Sequence, residues 1–192
     1  MTKEKLKLRS MIITALFAAI IGVLAQITIP LPLVPITGQT LAIGLAATIL
    51  GSRYGTLSAI LYLVIGAVGV PVFAEFSGGI SKIFGPTGGY LVGFIPATFL
   101  IGFYLEKTRF TFIHALIANI IGMIVTLVFG TAWLKVSADL TWTAAIAGGL
   151  TPFLIVGVVK AALAAWIGII VRSRLVSAKL LFSYNPDMKQ SA

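Results

Sequence analysis

The chain has 192 residues, 59% of them hydrophobic and only 10% charged, with a formal net charge of +9 and no cysteine. A soluble domain carries about a quarter charged residues, so an ordinary soluble fold is excluded; disorder needs the opposite balance. The lack of Cys removes disulfides, thiol nucleophiles and Cys-held metals. One His and five acidic residues leave little for acid–base or metal chemistry.

The basic residues punctuate acid-poor apolar runs instead of sharing one face. That is the pattern of a membrane protein, not of a nucleic-acid binder. The first apolar run, 11–29, has 19 residues, too long for a signal-peptide core. The chain therefore reads as an all-α integral membrane protein, one membrane domain over 1–192. Six spans are expected near 11–29, 39–51, 55–70, 88–105, 111–134 and 152–171, with tails at 1–10 and 172–192. The breaks fall at Pro30, Pro32 and Pro35, at Gly51-Ser52-Arg53, from Pro71 to Pro86, from Glu106 to Arg109, and from Lys135 to Pro152.

A straight crossing needs about 20 residues. The second and third spans have 13 and 16, about 20 and 24 Å of a core about 30 Å thick. Their missing length points to a basin at one face with loops folded over it; thinning of the bilayer is the plainer alternative. Lys and Arg set the orientation. With the N-terminus inside, Lys3, Lys5, Lys7, Arg9, Arg53, Lys107, Arg109, Arg172, Arg174, Lys179 and Lys189 are cytoplasmic, and only Lys82 and Lys135 are outside. Both termini are expected in the cytoplasm, and the basin opens outward.

No phosphate loop G-x-x-x-x-G-K-[ST] and no H-E-x-x-H is present, so neither ATP hydrolysis nor zincin chemistry is expected. Glu4, Glu75, Glu106, Asp139 and Asp187 all fall in tails, loops or span ends, whereas ion-coupled carriers keep a carboxylate inside the bundle. Lys160 stands alone in mid-span, where a lysine costs about 2.5–3.5 kcal/mol on insertion scales. An anionic ligand would offset that cost; snorkelling or pairing with backbone carbonyls is the alternative. The loop segments around Thr37 and Gln39 and around Thr87, Gly89 and Tyr90 supply hydrogen-bonding groups for a small polar ring. Phe73, Phe76, Phe84 and Trp142 are candidates to pack on it. For Trp142 and Trp133 an interfacial belt is the alternative.

Small residues recur at helical spacing at Ala15, Ala18, Ala19 and Gly22, and again at Ala161/Ala165 and Ala164/Gly168. Such faces let helices approach closely, within the bundle or against a partner. His114 and Asn119 read as helix-packing groups.

These segments resemble the BioY family, the biotin-binding membrane subunits (S components) of energy-coupling-factor transporters. The resemblance is carried by Val34-Pro35-Ile36-Thr37-Gly38-Gln39-Thr40-Leu41, by Arg53-Tyr54-Gly55, by Tyr62 with Gly66 to Phe73, by Gly85-Pro86-Thr87-Gly88-Gly89-Tyr90, and by Pro152-Phe153 to Lys160. It implies a six-helix fold that captures biotin from outside and works with a membrane T component and two cytoplasmic ATPases. It also implies that Ala15 and Ala19 form the docking surface for the T component. The family often carries an Asp three positions before the Lys, where this chain has Gly157. Biotin suits the residues: its carboxylate can meet Lys160, its ureido ring the loop groups Thr37, Gln39, Thr87, Gly89 and Tyr90, and its bicycle Phe73. Biotin is then a transported ligand, and neither a cofactor nor catalysis is expected. Alternatives are an S component for another small vitamin and a carrier outside that class.

Overall fold

The computed structural model describes residues 3–181, with side chains from Leu8 onward. The side chains of Lys3, Glu4, Lys5 and Lys7, and Asp187 and Lys189, lie outside the described residues. Among the described residues seven α-helices run in chain order: α1 Lys3–Ala25, α2 Gln39–Ala67, α3 Ile80–Phe84, α4 Gly88–Lys107, α5 Phe112–Ser137, α6 Trp142–Gly149 and α7 Thr151–Ser177. Five stretches are long and apolar enough to cross a membrane, with α6 and α7 forming the last of them.

The first helix stops at Ala25, short of the expected end of its span. Beyond it the prolines withhold backbone donors, and the chain turns back through a two-residue antiparallel ladder that pairs Thr28 with Thr37 and Ile29 with Ile36. Gln26 fastens this loop to the one after α2. Its amide nitrogen donates to the carbonyls of Gly22 (2.9 Å) and Phe73 (3.1 Å), and its oxygen accepts from the Phe76 amide (2.8 Å).

The run α2 is two helical legs, not one rod. Gly51 has φ 81° and ψ −173°, a left-handed φ that glycine adopts without a Cβ penalty. Gln39 bonds the Tyr62 hydroxyl, 23 residues on, although a straight helix would hold them about 34 Å apart. A Cβ on Gly55 would sit 3.0 Å from the Cα of Ala47. The legs 39–50 and 52–67 thus lie against each other, and they correspond to the second and third expected spans.

The turn of this hairpin is locked by two residues expected in a loop and a tail. Glu106 at the end of α4 accepts from the Ser52 amide (2.8 Å) and hydroxyl (2.7 Å), capping the second leg where a helix dipole favours negative charge. Arg172 lies inside α7, which runs to Ser177 and not to 171. It is 8% exposed, donates to the Ile49 carbonyl at the end of the first leg, and lies 3.7 Å over the Phe110 ring.

Buried apolar residues fill the space around the legs. Ala18, Ile21, Ala42, Ile43, Tyr62 and Phe94 pack at the loop end of the bundle, and Phe17, Ile49, Leu50 and Leu181 at the hairpin end. Ser58 ties the second leg to α1 through the Thr14 carbonyl (3.0 Å). The segments expected as plain loops, 71–87 and 135–151, contain α3 and α6. Thr141 caps α6 by accepting from the Ala144 amide.

Candidate functional site

A cavity of about 360 Å³ lies at the loop end of the bundle, within the size range of small-molecule pockets. Residues 31–35, 73–75 with Ser77, and 85–87 with Lys82 of α3 form its rim, the start of α2 with α4, α5 and α7 its walls, and Asn119 and Ile101 its far end. The sequence-predicted residues Lys160, Tyr90, Gln39, Thr37, Thr87 and Phe73 all line it. Chain positions 37 to 160 meet here because the α2 hairpin brings its first leg beside α7.

Lys160 reaches across from α7. Its Nζ donates to the Thr37 carbonyl at 2.6 Å and to the Thr40 hydroxyl at 3.3 Å. Both are neutral oxygens, so dipoles alone meet the charge and the ammonium keeps a further donor. The pairing with backbone, set out from the sequence as an alternative, is thus present alongside a position on the cavity wall. Next to it, Gly38 supplies no side-chain cap to the first turn of α2.

The neutral polar groups are largely engaged with one another. Thr37 donates to the Gln39 side-chain oxygen at 2.8 Å while the Gln39 amide nitrogen bonds Tyr62. The Tyr90 hydroxyl donates to the Gly149 carbonyl at 2.6 Å, so it anchors the end of α6 and presents its ring to the cavity. Phe153 stands 6.0 Å from that ring. Phe73, 2% exposed, meets Tyr62 edge-on at 5.4 Å.

Four expectations differ. Gly89 does not line the cavity; it lets α4 approach α5, where a Cβ would sit 2.6 Å from the Phe129 carbonyl oxygen. Phe76, Phe84 and Trp142 are 73%, 67% and 57% exposed and stand off the cavity walls. The aromatic surface comes instead from Phe73, Tyr90, Phe94 and Phe153. Asn119 is the residue the sequence undervalued. It does pack helices, donating to Thr48 (2.9 Å) and to the Ala115 carbonyl (2.8 Å), but it also lines the cavity. An amide in an apolar run was the available signal.

The small-residue faces divide. Ala161, Ala164 and Ala165 are buried inside the bundle, as is Ala18. Ala15 and Ala19 are exposed on α1.

The cavity's neutral polar groups mostly hold one another, Lys160 has neutral oxygens as partners, and Glu75 and Lys82 stand at the rim; among the described residues no nucleophile–base pair lines it. That is a binding chamber in a multi-pass membrane protein, the class to which fold and site both point. The chain belongs to the BioY family, whose sequence model matches residues 1–177. It is 43% identical over 166 residues to "Biotin transporter BioY2" of Lactococcus lactis subsp. cremoris, covering 86% of this chain and 91% of that one. With "Biotin transporter BioY" of Thermotoga maritima it shares 39% over 162 residues, 84% of this chain and 95% of the other. The crystal structure at 2.1 Å of the S-component for biotin from an ECF-type ABC transporter matches with a TM-score of 0.81 at 29% identity. That match covers 90% of this chain and 95% of that one.

Proposed function

We propose that this chain is a biotin-capturing S component that takes up the vitamin from outside the cell and is energised by a membrane T component with two cytoplasmic ATPases. The observation that carries the reading is one cavity, in a fold shared with a biotin S-component, with a half-buried lysine on its wall. The biotin carboxylate takes the free donor of Lys160, and the bicycle packs on Phe73, Tyr90, Phe94 and Phe153. With Gln39 and the Tyr90 hydroxyl engaged within the protein, the ureido group is left to Thr87, Thr40 and exposed loop amides. Titration of the purified protein with biotin tests this directly; a stronger response to another vitamin, with biotin failing to compete, would assign a different ligand.

The same reading makes the chain one membrane domain crossing six times, with both termini in the cytoplasm and the loop end outside. Support comes from the distribution of Lys and Arg and from the two legs of α2. Cysteines introduced at 30–38 or 71–87 should react with an impermeant reagent applied to whole cells. Labelling of either terminus would reverse the orientation. The T component docks on the α1 face of Ala15 and Ala19, which is exposed while the small residues of α7 are buried within the bundle.

A further inference from the structure

Three glycines line the cavity: Gly85, Gly122 and Gly157. Gly157 lies inside α7 and is not among the residues of positive φ, so its backbone does not require glycine. Alanine would favour the helix more. Space is the remaining reason. A Cβ at Gly157 would sit 3.0 Å from Met123 Cγ and closer still to its Sδ, and would meet nothing else within 4 Å. At Gly122 the corresponding obstacle is Ile101, a stiff side chain 2% exposed; at Gly157 it is the far end of a flexible thioether.

The notch lies one helical turn from Phe153 and one from Lys160, on the same face of α7, and all three line the cavity with Met123. Met123 also packs at the edge of the cluster of Val34, Tyr90, Leu127 and Leu134. Its sulfur end thus fills a gap in the wall one helical turn from Lys160. We infer that Met123, lodged in the Gly157 notch, is the specificity-determining wall of this cavity, selecting the apolar body of the ligand by shape while Lys160 holds its charged end. This rests on the reading of the cavity as the biotin site.

The experiment is biotin titration of the full-length protein and three variants, with thermal unfolding recorded without ligand. Gly157→Ala drives the thioether out of its notch and into the cavity, and binding should weaken about ten- to a hundredfold with the unfolding midpoint retained. Adding Met123→Ala should restore most of that loss, because the shorter side chain no longer reaches position 157. Met123→Leu, of similar volume but branched, cannot enter the notch and should weaken binding on its own. This variant carries the test if Gly157→Ala disturbs the fold. Unchanged affinity in Gly157→Ala, or in Met123→Leu, or a double variant no better than Gly157→Ala, overturns the inference. Absence of biotin binding by the unaltered protein overturns the functional reading itself, a different result from binding that ignores positions 123 and 157.

Discussion

The two ends of this bundle treat charge in opposite ways. At the hairpin end, Arg172 and Glu106 are matched within the chain: each sits at the helix terminus whose dipole suits it, and each bonds the backbone there. At the loop end, Lys160 meets only neutral oxygens, beside a cavity. Burying charge is costly unless it is paired and hydrogen-bonded. One end meets that cost within the chain; at the other, the proposed ligand offsets part of it. The contrast separates a basic residue read from the sequence as part of a tail, and used to close a helix end, from one read in mid-span and left beside a cavity.

The largest effect should follow from breaking the compensated end. Arg172→Met strands the Ile49 carbonyl and removes the cation over the Phe110 ring; a hydrogen bond from a charged donor is worth about 1.5–3 kcal/mol and a desolvated cation–π contact about 2 kcal/mol. Unfolding in detergent should show it, with biotin affinity of the folded fraction little changed. Lys160→Met should do the reverse. Stability should hold or rise, while binding weakens by about 2–3 kcal/mol, about 30- to 150-fold. A neutral biotin amide sharpens this test: it should bind the original protein poorly yet lose little further affinity in the variant. Additive losses would show that lysine and carboxylate do not meet.

A smaller loss is expected at the hairpin turn. Gly51→Ala forces a left-handed φ on alanine and places its Cβ against the Glu106 carboxylate; the torsion alone costs about 1–2 kcal/mol. Unfolding measurements should detect it without a change in ligand selectivity. The smallest effect on the isolated chain belongs to Ala15→Leu on the exposed face of α1. Biotin binding and stability should both persist, while co-purification with the T component falls. Loss of binding together with assembly would instead mean that Ala15 packs within the bundle.

What was legible in the sequence follows from what is local. Apolar runs gave the helices, Gly51 the break inside α2, and the isolation of Lys160 its place on the cavity wall. Partners distant in the chain were not legible. Nothing near Glu106 announces that it caps Ser52, 54 residues away, and nothing near Tyr90 announces that Gly149 takes its hydroxyl. Aromatic residues misled for the same reason. Phe73 and Phe76 look equivalent in the chain, yet a short turn sends one inward and the other to the surface. Gly89 read as a ligand-binding loop residue because a packing glycine and a ligand-cradling one have the same local signature.

Gln26 carries a consequence for how molecules pass the rim. Rooted at the end of α1, one side chain bonds the backbone of the loop after α2 at both Phe73 and Phe76. The loop after α2 is thereby buttoned to the end of α1, and it cannot lift while that button is closed. Opening the rim on that side should require the button to release, however tightly the chamber below holds its guest.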